Sequence, residues 1–432
     1  MKIKFIYPKF DKFLDTYPDL AGMPAIAAIW SFRMPPALGI PILAGLTPRG
    51  VEWHVQDQNI EPIVFDDDSD LIAISFFTPQ AGYAYELGDE FLRRGKTVVM
   101  GGMHPSMLPE ETSRHCSSVC IGEADTLWAD IIRDFQKDRL KPFYKASSFP
   151  APHEIRKPKP DVFDETKYDW HSSLVSLTRG CPYGCSWCNI PIYQGTEIRF
   201  RPIDIVVDEI RALSGKEFYI TDDVITWNRE AINQYMINLC NRIKNFKVSM
   251  FLSGSPAMNS DEKFLNALSE AGCKNMYVVF ASDGYSKLFY QRNAAIWNKC
   301  LDLIKSLEDR GIRFFGSFSV GYDFAGEEQF DLILEFCRQA KVKTTEFFIA
   351  TPFPNTPFWH QLQAEGRLHM PINWKKYNCA HVVFRPKRIS EDKLLAGFLR
   401  LWKEFYTNAD YNEYLATFPS LHRKAADILS SH

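Results

Sequence analysis

The sequence predicts an α/β protein made of two wound units. The first is a doubly wound sheet of Rossmann or flavodoxin type, and the second a partial (β/α)6 barrel of TIM type followed by a small helical C-terminal region. Three observations carry this prediction. Short β-rich runs alternate with helical stretches from residue 1 to 137, six further strand runs recur from 171 to 380, and 432 residues with 46% hydrophobic content suffice to bury two or three cores.

In the first unit the strand runs are KIKFIY, VEWHVQ, LIAISFF, TVVMGG and SSVCIGE, with the helical stretch YAYELGDEFLRRG between the third and fourth. Residues 138–170 follow with Pro142, Pro150, Pro152, Pro158 and Pro160 among lysines and serines, a composition that sustains neither a helix nor a central strand and is read as a linker. From 171 to 380 the runs SLVSLT, EFYIT, VSMFLS, NMYVVFA, RFFGSFSV and KTTEFFIAT are mostly separated by helical segments. One of these, residues 228–246, sets Ile232, Tyr235, Met236, Leu239, Cys240 and Ile243 on one face. In the final region, 381–432, Ser390 and two acids open a helix with Leu394, Leu395, Phe398, Leu401, Trp402 and Phe405 at helical spacing. A helix packed on the barrel is the expected use of that stripe.

The net charge of −3, with no run of lysines or arginines, gives no reason to expect nucleic acid or an anionic membrane as partner. No window reaches 18 uninterrupted apolar residues, and MKIKFIYPKF is too soon interrupted for a signal segment, so a cytoplasmic protein acting on a small molecule is expected. Seven of the ten cysteines are scattered singly through apolar stretches, as reduced core thiols are.

The other three, Cys181, Cys185 and Cys188, fall within eight residues of LTRGCPYGCSWCNI, directly after the first barrel strand. Random placement gives this spacing with a probability of about half a percent. Structural zinc asks for four ligands, commonly in two pairs, and no fourth Cys or His lies nearby in sequence. A cubane iron-sulfur cluster held by three thiolates instead keeps one iron open for a ligand that takes part in chemistry. Gly180 and Gly184 would let such a loop wrap a cluster closely.

This spacing, with Trp187 before the last cysteine, resembles the signature of the radical S-adenosylmethionine superfamily. The resemblance extends to EFYITDDVIT with its acidic pair Asp222 and Asp223, to FLSGSP with Ser253 and Ser255, to AGCKNMYVVFASD, and to GSFSVGYDFAGEE with its glycine turn at Gly321, covering roughly residues 171–360. It implies a [4Fe-4S] cluster on Cys181, Cys185 and Cys188, and S-adenosylmethionine on the open iron, cleaved to a 5'-deoxyadenosyl radical. Trp187 would then lie beside the adenine, and Asp222, Asp223, Ser253 and Ser255 would face the same mouth. For each of these an ordinary role competes: core aromatic, helix cap or loop polarity. A flavodoxin or ferredoxin-type electron donor is implied as well.

The first unit, with LIAISFF, TVVMGGMHP and CIGEAD, resembles the cobalamin-binding half of the B12-dependent branch of that superfamily. A corrin would rest on the loops Ser75 to Gln80, including Thr78, and Gly101 to His104, including Gly102, because ligands of doubly wound sheets sit beyond the carboxyl ends of the strands. The motif D-x-H-x-x-G is absent, so no histidine ligand to cobalt is expected, and GEAD stands where GEGE is expected. The resemblance implies C-methylation of a bulky tetrapyrrole, lipid or natural product. The alternatives are a hydroxylase or oxidative cyclase of the bacteriochlorophyll type without cobalamin, and a cobalamin or redox sensor, for which no output module is visible.

Overall fold

The computed structural model describes residues 1–30, 36–168, 173–222, 225–281 and 284–407. The first sheet comprises β1 (Lys2–Tyr7), β2 (Glu52–Asp57), β3 (Leu71–Ser75), β4 (Thr97–Gly101), β5 (Ser118–Ile121) and β6 (Phe143–Lys145), all parallel in the order β2-β1-β3-β4-β5-β6. Its strands read as near-continuous apolar runs because both faces are covered. Ile3, Phe5, Leu71, Ala73 and Val99 face Trp128, Ile131 and Ile132 on one side. Ile6, Ile72, Ile74, Val98 and Met100 face the helix Ala81–Arg93 through Ala84, Leu87 and Phe91 on the other. The order reverses between β1 and β3, which is where a wound sheet opens its ligand crevice.

The proline-rich stretch 138–170 does more than span the two units. Phe143–Lys145 extends the first sheet as an edge strand, Ile155 and Tyr168 are buried, and the Tyr168 hydroxyl donates to Asp57 at 3.0 Å. Prolines bar a central strand but leave room for a three-residue edge.

The second sheet is formed by β7 (Ser173–Val175), β10 (Glu217–Ile220), β11 (Ser249–Gly254), β12 (Cys273–Phe280), β13 (Arg313–Val320) and β14 (Thr344–Ile349), parallel and adjacent in chain order. Between β7 and β10 a short antiparallel pair, β8 (Thr178–Arg179) and β9 (Arg199–Phe200), brackets the cysteine loop. This is the winding of a TIM-like unit. Its outer face, including Phe218, Met250, Leu252, Met276, Val278, Phe280, Phe318 and Phe347, is buried beneath the helices Glu230–Ile243, Glu262–Glu270, Ala294–Glu308 and Glu328–Gln339.

The helix Glu391–Thr407 lays Leu394, Phe398, Leu401, Trp402 and Tyr406 on the same core, each of them wholly buried. A large apolar side chain buried in this way contributes roughly 1.5 to 3 kcal/mol relative to exposure. A third core joins the two units: Phe76 and Tyr85 from the first meet Ala281, Tyr322 and Ala350 from barrel strand ends, with Phe358, Trp359, Trp374, Tyr377 and Phe384 between them.

Candidate functional site

The cysteine loop leaves β8 through Gly180, whose φ is +88°; a Cβ there would stand 2.0 Å from the Glu197 carbonyl oxygen. No other residue fits this approach. Gly184 is different, since a Cβ built on it meets nothing within 4 Å among the described residues. The Gly180 and Cys181 amides donate to Gln194 Oε1 and the Gly195 carbonyl at 3.1 and 3.0 Å, and the Cys188 amide closes a turn onto the Cys185 carbonyl at 3.1 Å. On the far side, the Ser186 carbonyl accepts from the Phe358 amide at 2.8 Å.

Asp222, expected at the mouth as a ligand contact or a helix cap, is buried and braces the strand that launches the loop. Its carboxylate accepts from the Leu177 amide at 2.7 Å, from the Thr178 amide and from Thr178 Oγ1 at 2.5 Å. Asp223 lies outside the described residues. Ser253, at the end of β11, shares a 2.6 Å hydrogen bond with the Tyr219 hydroxyl. Ser255 is buried and turned to its own loop, accepting from the Ala257 amide at 3.2 Å. Gly321 has φ +98°, and a Cβ would stand 2.8 Å from Leu394 Cδ2, so it admits the C-terminal helix. Trp187 packs against the third core, with its indole Nε1 buried and lacking a partner among the described residues.

In the first unit Ser75, Gly101 and Gly102 stand at the carboxyl ends of β3 and β4, next to the switch point. Gly102 has φ +103°, and a Cβ would meet the Phe76 carbonyl oxygen at 2.8 Å, so its glycine is needed by the fold. The other three residues expected at the corrin, Thr78, Gln80 and His104, are buried. Gln80 donates to the Pro8 carbonyl and accepts from the Phe77 amide at 2.9 Å, and Thr78 Oγ1 lies 3.3 Å from His104 Nδ1. His104 Nε2 lies 3.0 Å from the Tyr85 hydroxyl. Wholly buried, His104 is held below the usual histidine range by desolvation, and both its nitrogens are engaged. His104 lies on the short helix Met103–Met107, with its ring 5.8 Å from that of Phe76.

The residues that join the two units were not singled out as site residues. Arg179, directly before Gly180, and Arg199, its cross-strand partner, are both buried and both reach the GEAD loop after β5. Arg179 Nη1 donates to Asp125 Oδ2 at 2.7 Å and to Glu123; Arg199 Nη1 lies 3.2 Å from Glu123 Oε2, and its Nη2 donates to Glu123 and to the Gln194 carbonyl at 2.7 Å. Two fork-shaped donors share two carboxylates in a dry seam, the arrangement that suits arginine and not lysine. A signal is present in the sequence: GEAD keeps both acids of GEGE with alanine in place of the second glycine, and an arginine stands two residues before the first cysteine.

Among the described residues no three His, Cys, Asp or Glu side chains gather as a site for a single ion. A cubane makes a different demand, because each thiolate binds a different iron. Three thiols on one loop, a backbone held on both flanks and an unpartnered indole N–H fit that donor chemistry.

A family model described as "Radical SAM superfamily" matches residues 175–337, and a second, "Domain of unknown function (DUF4070)", matches 356–426. The chain is 30% identical over 387 residues to the bacteriochlorophyllide d C-12(1)-methyltransferase of Chlorobaculum tepidum, covering 85% of this chain and 82% of that one. This chain belongs to the radical SAM superfamily. The bacteriochlorophyllide d C-8(2)-methyltransferase of the same organism is 28% identical, with 87% and 88% covered. Among solved structures, the radical SAM methyltransferase TsrM of Kitasatospora setae has a TM-score of 0.65 at 16% identity, covering 84% of this chain and 76% of that chain. TsrM has also been solved with cobalamin and a [4Fe-4S] cluster bound. As a radical SAM protein this chain is an enzyme of the wound α/β type expected from its strand runs.

Proposed function

We propose that this radical SAM enzyme is a cobalamin-dependent C-methyltransferase of a bulky small molecule, a tetrapyrrole foremost, with lipids and other natural products as the wider class. The observation that carries the reading is the buried seam of Arg179, Arg199, Glu123 and Asp125, which fastens the loop after β5 to the base of the cysteine loop. A wound domain fastened there would bring its strand-end loops toward the thiols. Curated relatives that methylate bacteriochlorophyllides, and a solved relative that holds cobalamin, support the substrate class and the cofactor.

When bound, the cluster, S-adenosylmethionine and cobalamin supply reducing electrons, a radical initiator and a methyl carrier. The chain's own residues do the rest. Cys181, Cys185 and Cys188 would hold the cluster, and Asp222 keeps their strand in place. Trp187 would offer its N–H and ring to the nucleoside, with Ser253 at the neighbouring strand end. Ser75, Gly101 and Gly102 would give the corrin a shelf without bulk, and no cobalt ligand is offered, since His104 is engaged at both nitrogens. The third core, rich in tryptophan and phenylalanine, keeps water from the space between the units. Electrons would come from a flavodoxin or ferredoxin-type protein. Among the described residues no helix is long and apolar enough to cross a membrane.

The test is anaerobic reconstitution with iron, sulfide and cobalamin, followed by mass spectrometry of bacteriochlorophyllide d incubated with S-adenosylmethionine and a reductant. A product heavier by one methylene, formed only with cobalamin, is expected. Formation of an oxygenated or ring-closed product without cobalamin would give the hydroxylase or cyclase reading instead.

A further inference from the structure

In the TIM-like unit the ends of β12 and β14 alternate between buried and half-buried residues. Outward residues such as Met276, Val278 and Phe280 on β12, and Phe347 and Ile349 on β14, are sealed beneath helices. Their inward neighbours Tyr277 and Val279, and Glu346 and Phe348, are only partly buried, so the inner face is not sealed. A glutamate inside a strand covered on its other face is a costly choice.

Glu346 accepts a hydrogen bond from the Tyr277 hydroxyl, which lies 2.9 Å from Ser317 Oγ, so three adjacent strands contribute to one polar relay. Among the described residues the Tyr277 hydroxyl is the one hydrogen-bond partner of the Glu346 carboxylate, and no lysine or arginine is ion-paired with it. The aromatic rings Tyr219 and Phe251, 4.9 Å apart, and Tyr277 and Phe315, 5.2 Å apart, pave the same inner face. A carboxylate without a counter-cation beside aromatic faces is the chemistry that receives a cation or an N–H donor and repels an anion.

We infer that the inner face binds a nitrogen-borne cation or N–H donor group of the substrate through the Glu346 carboxylate, with Tyr277 and Ser317 orienting it. The inference rests on the methyltransferase reading and narrows its substrate: the part that enters the barrel carries an amine, amidine or ring N–H, and any carboxylate substituents stay outside.

The other titratable groups facing Glu346 are the Tyr277 phenol on β12, the Cys379 thiol and the Tyr406 phenol of the C-terminal helix. Burial pushes each of them upward, Cys379 to about 11, so none changes charge between about pH 5.5 and about pH 8. Burial also raises Glu346 itself, to about 7, and Tyr277 opposes that rise. Binding of a cation should therefore grow with pH over this interval.

The probes are acetamidinium chloride and sodium acetate, matched in size and opposite in charge, titrated into the full-length protein at constant ionic strength and read by the thermal midpoint. At about pH 8 acetamidinium should raise the midpoint of the wild type and of Tyr277→Phe, which keeps the carboxylate, with at least a tenfold weaker half-saturation in Glu346→Gln. Acetate should raise none of them. An equal response of Glu346→Gln to acetamidinium, or an equal response of the wild type to acetate, would overturn the inference. The measurement needs neither cluster nor cobalamin, so its failure is distinct from a failure of methyl transfer.

Discussion

Asp125 Oδ2 lies 2.7 Å from Arg179 Nη1, and this pair ties the loop after β5 to the residue that precedes the cysteine loop. Arg179 and Asp125 are both almost fully screened from water, so neither charge has solvent to fall back on. Removing one partner of such a pair leaves the other buried and uncompensated.

Glu123→Gln is therefore expected to destabilise the protein by about 3 to 5 kcal/mol, because Glu123 serves both Arg179 and Arg199. Asp125→Asn, which meets the side chain of one arginine, Arg179, and the Arg156 amide, should cost less. Urea unfolding of the two variants checks the order; an equal or reversed ranking would count against the shared role of Glu123.

The thiols divide into two populations. Alanine at Cys181, Cys185 or Cys188 should abolish 5'-deoxyadenosine formation in the reconstituted enzyme. Alanine at Cys240, a core thiol that burial pushes up to about 12, should leave iron content unchanged and cost about 1 to 2 kcal/mol of packing. Iron and deoxyadenosine assays on the four variants decide, and iron loss from Cys240→Ala would contradict the division.

Gly180 and Gly184 bracket the first two cysteines yet differ in what surrounds them. Gly180→Ala should disrupt the loop, since its Cβ would collide with the Glu197 carbonyl at a positive φ, whereas Gly184→Ala has open space and should incorporate iron normally. The iron-to-protein ratio after reconstitution distinguishes them. Equal loss in both would mean that Gly184 has a demand not visible in the chain's own packing.

Asp222→Ala removes an acceptor that three donors share, two of them backbone amides. Each buried donor left without a partner costs about 1 to 3 kcal/mol, so a loss of several kcal/mol is expected, together with weaker cluster retention. Retained stability alongside lost S-adenosylmethionine binding would show that the carboxylate serves the ligand and not the strand.

Glu346 supplies a pH prediction of definite sign. Its carboxyl is raised from 4.5 to about 7 in the folded chain, chiefly by burial. Below the ordinary value both states are protonated; as pH rises the unfolded chain ionises first, so stability falls up to about pH 7 and then levels off. Glu346→Gln removes this loss, and its stability relative to wild type should increase from about pH 5 to about pH 8 by on the order of 2 to 3 kcal/mol. Denaturant melts at the two pH values test it, and a difference that shrinks with rising pH would be the wrong sign.

Much of the fold was legible because it is local. KIKFIY and RFFGSFSV are strands over their whole length, and the apolar stripe within 228–246 is the buried face of the helix Glu230–Ile243. The site was less legible, since its decisive partners lie far apart along the chain. Arg179 meets Asp125 across 54 residues and Asp222 meets Thr178 across 44, distances over which neither periodicity nor spacing carries information. His104, Thr78 and Gln80 follow the expected strands, but on short helical turns whose side-chain direction is set by tertiary packing, and all three are buried. In the sequence Glu346 shows only as an acid before the two adjacent phenylalanines of KTTEFFIAT.

The Phe358 amide that caps the Ser186 carbonyl also sets an order of events during synthesis. The three thiols are made some 170 residues before Phe358 (358 − 186 = 172), and the segment carrying that amide follows the last barrel strand. A nascent chain still on the ribosome thus presents its cysteines on a loop open along one edge. The loop acquires its second wall only once the segment after the last barrel strand has folded back onto it.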